Sequence, residues 1–144
     1  MSQTTSNGTG VLFLCLDTST PTARVAILDG DAHAAEVVRF SAEATAERHA
    51  GHLLPLCAEA LRVVGVAPAA LAGIACGGGP GSFTGLRVGL STAKGLALPT
   101  GVPLHVVSSL EALALDILGL PSNRAAASPV TAVPCLDAGK GEIY

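Results

Sequence analysis

The chain has 144 residues, 49% hydrophobic, 13% charged and 3% aromatic, with a net charge of −3. That composition excludes a disordered chain, which is poorer in apolar residues, and no run reaches the roughly 18 continuous apolar residues of a membrane span. An acidic chain with 8 Lys and Arg has no global field for nucleic acid, and its charge is low against the usual quarter or so of residues, which implies either a large core or a surface covered by something else.

Residues 1–10 (MSQTTSNGTG) form a polar leader, expected to be disordered and lacking the basic region and cleavage site of a signal peptide. Residues 11–17 (VLFLCLD) are a continuous apolar run ending in a carboxylate, the pattern of a central strand buried on both faces. A hydroxyl-rich turn follows, then strands over 24–28 and 34–40 joined by an Asp29-Gly30-Asp31 turn. Helical periodicity begins near Glu47, with Leu53, Cys57, Ala60, Leu61 and Val64 on one face and Gly65 as the stop. Pro55 must lie in the first turn or kink that helix.

A strand over 71–76 leads into the glycine-rich segment 77–85 and a helix over 84–98. A loop over 99–103, a strand over 104–107, a helix over 109–118 capped by Ser108 or Ser109, and a loop over 121–129 follow. The last strand is expected over 130–137, with a turn at 139–141. Three strands followed by helix–strand units predict an α/β domain with a mixed sheet. Cys135-Leu136-Asp137 repeats Cys15-Leu16-Asp17 after a second apolar strand, as though the opening hairpin were starting again.

The four cysteines, Cys15, Cys57, Cys76 and Cys135, are widely spaced with no CxxC pair, and they read as buried thiols of a reducing cytosol. Gly77, Gly78, Gly79, Pro80, Gly81, Ser82, Phe83 and Thr84 sit between a strand and a helix, where backbone N–H groups can hold an anion. Neither a Walker A loop nor GxGxxG fits there, and a tight strand-to-helix turn explains the same glycines. Asp17 and Thr18, with Asp137 from the repeat, offer oxygens for a magnesium ion beside a phosphate. Alternatively, a carboxylate at a strand end bonds to its own turn. His49 and His52 do not make HExxH, and no GxSxG elbow occurs, so neither a metal site nor a protease is indicated.

The helix over 84–98 carries a ridge of small residues, Gly85, Gly89, Ala93 and Ala97, where another backbone approaches closely, and only a narrow polar stripe of Arg87, Ser91 and Lys94. Such a helix is expected to be covered on two sides. His49, His52, Leu56, Glu59 and Val63 form a second stripe on the preceding helix. Together the stripes suit a helix-on-helix interface, although packing within the domain accounts for the pattern equally well.

The run Gly77-Gly-Gly-Pro-Gly-Ser-Phe-Thr-Gly-Leu-Arg-Val-Gly, with Leu16-Asp-Thr-Ser-Thr, Val107-Ser-Ser-Leu-Glu-Ala-Leu and Asp137-Ala-Gly-Lys-Gly-Glu-Ile-Tyr, resembles the bacterial TsaB (YeaZ) family from residue 11 to the end. The resemblance implies an actin-like, sugar-kinase and ribonuclease-H-like lobe over 11–136, with 137–144 beginning a second lobe that the sequence stops short of. It implies a cytoplasmic, non-catalytic paralogue of TsaD, the transferase that adds threonylcarbamoyl to adenosine beside the tRNA anticodon. The pairing with TsaD, or self-association, uses the two helices, so His49, His52, Leu56, Glu59, Val63, Gly85, Gly89 and Ala93 are the implied interface. TsaE joins the pair, tRNA is met only indirectly, and ATP and magnesium belong to the complex, with no cofactor held by this chain alone. A nucleotide-binding phosphotransfer enzyme is the alternative, and the family's old glycoprotease-like label has no motif here. His49-Ala-Gly-His-Leu-Leu-Pro departs from the family's His-Ser-Glu-x-Leu-Leu-Pro, so contacts of that Ser and Glu do not carry over.

Overall fold

Alternation of side chains along a strand builds one buried sheet face from the first two strands. A computed structural model describes residues 10–30, 37–45, 49–119, 131–139 and 141–144. Strand β1 (Leu12–Asp17) pairs antiparallel with β2 (Thr22–Asp29), setting Leu14 opposite Ile27 and Leu16 opposite Val25. All four are buried. Strand β3 (Val37–Thr45) continues antiparallel on β2. It runs five residues past the expected end at Phe40, because Ser41 to Thr45 keep pairing back to Thr22 at the far end of β2.

Helix α1 (His49–Val64) buries Leu53, Cys57, Ala60 and Leu61, as its period predicts. Gly65 ends it at φ +76°, with its N–H donating to the Leu61 carbonyl at 2.9 Å. Pro55 lies inside the helix, beyond the first turn, and faces solvent. Its missing N–H leaves the Gly51 carbonyl without a helical donor. A 3₁₀ turn (Pro68–Ala70) precedes β4 (Gly73–Gly77), which pairs parallel with β1 and places Ile74 and Cys76 beside Leu14 and Leu16.

Helix α2 (Phe83–Thr100) begins one residue earlier than expected, since Ser82 caps it by accepting the Gly85 N–H at 3.2 Å. It also runs through Pro99 rather than ending before it. Thr100 Oγ1 donates to the Leu96 carbonyl at 2.8 Å, and Gly101 closes the end in the left-handed conformation. Strand β5 (Leu104–Val107) completes a mixed sheet of order β3-β2-β1-β4-β5, in which β1, β4 and β5 are parallel. Helix α1 packs on β2 and β3, α2 packs on β1 and β4, and the helices touch each other, so both cover the same face.

Helix α3 (Ser109–Gly119) follows β5 and buries none of its residues. The expected strand over 130–137 reduces to β6 (Asp137–Gly139), paired with β7 (Glu142–Ile143) in a separate ribbon. Residues 131–136 have no strand partner, and Val133 is 81% exposed. Without a ladder to satisfy its backbone, an apolar run does not become a strand. The leader to residue 9, the Asp31 turn position and most of the 121–129 loop lie outside the described residues.

Candidate functional site

Two surfaces deserve separate treatment: the carboxyl ends of β1, β4 and β5, where the glycine-rich segment lies, and the outer face of α1 and α2. At the first, the turn after β1 closes on itself. Asp17 Oδ1 accepts the Ser19 N–H at 2.9 Å and Oδ2 accepts the Ser19 hydroxyl at 3.1 Å. This is the local side-chain turn that competes with a ligand-binding role. The Asp17 carboxylate also lies against Gly77, where a Cβ would sit 2.5 Å from Oδ1. Its charge adds to burial in pushing the neighbouring Cys76 thiol up to about 11.

The glycine-rich segment is stitched to its neighbours. Gly78 N–H donates to the Val107 carbonyl at 2.8 Å and Ser82 N–H to the Ser19 carbonyl at 2.7 Å, while the Gly79 carbonyl accepts the Ser109 N–H at 2.9 Å. Thr18 is fully buried, and its hydroxyl donates to the Gly85 carbonyl at 2.7 Å. The arrangement therefore does not fit a phosphate. A carboxylate lies over Gly77, two loop amides are engaged, and the Thr18 hydroxyl is out of reach. Asp137, the third oxygen donor expected here, stands in the β6–β7 ribbon rather than in the main sheet. Among the described residues no three His, Cys, Asp or Glu side chains gather in a metal-binding group.

The small-residue ridge of α2 faces the opposite way from the expected interface. Gly85, Gly89, Ala93 and Ala97 are buried against this chain's own β1 turn and sheet. Gly85 lies on the Thr18 carbonyl and Gly89 on the Thr18 hydroxyl and the Cys76 sulfur, with no room for a Cβ at Gly85. They are corrected from partner contacts to core contacts, since the backbone that approaches them belongs to the same domain. Of the α1 residues, Leu56 is half-buried and packs on the core, whereas His52, Glu59 and Val63 are exposed. His49 begins α1, but its side chain lies outside the described residues.

The outward stripe of α2 consists of Phe83, Thr84, Arg87, Ser91, Lys94 and Leu98. Phe83 is 73% exposed and Leu98 80% exposed, and α1 adds Leu54 at 55% and Val63 at 52%. An open groove of about 440 Å³ runs along Thr84, Arg87, Val88, Ser91 and Thr92. On α1, Glu59 and Arg62 form two hydrogen bonds of 2.8 and 2.7 Å, which hold the carboxyl below and the guanidinium above their ordinary pKa values. Phe83 and Leu98 were not separated from the core pattern in the sequence. Their signal is a position opposite the small ridge, legible once that ridge is assigned inward. Of the four cysteines, Cys57 and Cys76 are buried, Cys15 is half-buried and Cys135 is exposed, against the expectation that all are inside.

The family model for TsaD, tRNA N6-adenosine threonylcarbamoyltransferase, matches residues 40–144. The tRNA threonylcarbamoyladenosine biosynthesis protein TsaB of Bacillus subtilis is 34% identical over 134 residues, covering 91% of this chain and 52% of the relative. The solved structure of YeaZ from Pseudomonas aeruginosa superposes with a TM-score of 0.63 at 36% identity, covering 74% of this chain and 49% of that one. The Thermus thermophilus RuvC structure matches with a TM-score of 0.52 at 13% identity, a likeness of fold alone. The sheet order and these neighbours are those of an actin-like, ribonuclease-H-like lobe. The chain spans about half the length of the TsaB proteins it matches.

Proposed function

Because this chain belongs to the family that the TsaD model describes, and within it to the TsaB (YeaZ) group, we propose that it serves tRNA threonylcarbamoyladenosine formation as a non-catalytic partner of a TsaD-type transferase. The two outer helix stripes are the docking surface. The observation that carries this reading is the run of exposed apolar side chains, Phe83, Leu98, Leu54 and Val63, on helices whose inner faces already fill the core. A helix pair with large apolar groups on its outer side loses that exposure only against another body.

The catalytic alternative has less support. Phosphotransfer needs oxygens free to hold magnesium and a nucleotide, and Asp17 and Thr18 are bound into their own turn. ATP and magnesium therefore belong to the assembled complex, as does a TsaE-type subunit, and tRNA is met through the transferase. No described helix is long and apolar enough to cross a membrane. A cytoplasmic location is part of this proposal.

Co-purification with a TsaD-type transferase tests it, together with tRNA threonylcarbamoylation by that transferase with and without the full chain. Binding and stimulation support the reading. A folded chain that neither binds nor stimulates refutes it. Nucleotide turnover by the chain alone refutes the non-catalytic part.

A further inference from the structure

Charge is distributed unevenly over the two helices. Helix α2 has two charged side chains, Arg87 and Lys94, and no carboxylate. Both are exposed, and neither joins an ion pair among the described residues. The Arg87 guanidinium lies 5.4 Å from the centre of the Phe83 ring, a contact that holds the cation on the outer stripe. Seven residues separate Arg87 from Lys94, so they stand two turns and about 10 Å apart along one side of the helix. Phe83 and Leu98 bracket them. On α1, Glu59 is already held by Arg62 through two hydrogen bonds. The described charges on this face therefore leave two unmatched cations, on a chain whose net charge is −3.

We infer that the α1/α2 face selects the acidic helical face of a different protein and rejects a second copy of this chain. The inference rests on the docking reading above and supplies its partner chemistry. In a two-fold pair the same patch meets itself. Arg87 and Lys94 of each copy then face cations, and the sole described carboxylate on either helix is the occupied Glu59. Like charges placed across an interface suppress that pairing and slow its encounter. The complementary partner presents carboxylates about two helical turns apart over Arg87 and Lys94. It presents apolar side chains over Phe83 and Leu98. Two cations are too few to hold a polyanion at physiological salt, and bare apolar groups at both ends of the stripe suit a protein surface rather than RNA.

The test uses the full chain as wild type, as Arg87→Gln with Lys94→Gln, and as Arg87→Glu with Lys94→Glu, each checked for native circular dichroism. Affinity for a TsaD-type transferase is measured from 50 to 500 mM NaCl, and sedimentation reports self-association of each form and of an equimolar mixture of wild type with the Glu variant. Expected are wild-type binding that weakens with salt, at least about tenfold weaker binding by the Glu variant, and a mixed pair tighter than either form with itself. Transferase binding that ignores salt and both substitutions overturns the inference while leaving the docking reading intact. A wild-type self-pair as tight as the mixed pair overturns it too. If the transferase does not bind wild type at any salt, the docking reading fails, and the mixed-pair measurement alone decides the charge rule. Loss of tRNA binding by the Glu variant, with transferase binding kept, assigns the cations to RNA and overturns the inference.

Discussion

Replacing Gly85 by Ala isolates the close approach between α2 and the β1 turn. A methyl at that position overlaps the Thr18 carbonyl oxygen and comes to 3.2 Å from its carbon, inside the 3.4 Å where ordinary contact begins. The obstacle is backbone, so relief requires α2 or the turn to move. Movement also stretches the 2.7 Å bond from the buried Thr18 hydroxyl to the Gly85 carbonyl. Overpacking of this kind costs about 1–3 kcal/mol, and weakening a buried hydrogen bond adds about 1 kcal/mol. Against these stands the better helix propensity of Ala, worth about 1 kcal/mol. The net expectation is destabilisation by roughly 1–3 kcal/mol, read as a lower urea midpoint at unchanged slope. Gly95→Ala is the internal control, because nothing lies within 4 Å of its Cβ. There the propensity term stands alone, and stability should rise by about 0.5–1 kcal/mol. Equal effects of the two substitutions would refute the packing argument, as would a Gly85→Ala chain of wild-type stability.

Thr18→Val keeps the side-chain shape but removes the donor to the Gly85 carbonyl; a loss of about 1 kcal/mol in urea unfolding is expected. A thiol reagent at pH 8 should label Cys135 quickly and leave Cys57 and Cys76 untouched until the chain unfolds, which mass mapping reads directly. Burial pushes the Cys57 thiol from an ordinary 9.0 up to about 12 and Cys76 up to about 11. Unfolded thiols ionise first, so the folded state binds more protons above pH 9 and stability falls as pH rises. The decline runs from about pH 9 to the folded values near 11 and 12, and urea midpoints at pH 8 and 10 should show it. Leu98→Ser removes an 80% exposed side chain; it should leave stability within about 0.5 kcal/mol while weakening transferase binding in a pull-down.

Much of the fold was legible because its signals are local. The VLFLCLD run, the 3- and 4-residue spacing from Leu53 to Val64, and the stop at Gly65 each depend on residues only a few positions apart. Boundaries failed where a distant partner mattered. Strand β3 is longer than its apolar pattern because β2 continues to pair with it, and residues 131–136 are not a strand because no neighbour pairs with them. The α2 N-cap shows the same division: Ser82 was a candidate cap, but Thr84 was an equal one until the Gly85 N–H found the Ser82 hydroxyl.

The sequence by itself determined the α/β order of elements, the mixed sheet and the family. These follow from periodicity, glycine punctuation and a long motif, none of which needs coordinates. Only the tertiary structure decided what the motif residues face. Small residues four apart signal a close backbone approach whichever backbone arrives, and here it is Thr18 of the same chain that seats Gly85 and Gly89. Once that side is occupied, Phe83, Arg87, Lys94 and Leu98 are left outward. The low charge noted at the outset takes a definite form: a solvent-facing helix stripe on which apolar groups replace part of the usual charge, and whose remaining charge has one sign.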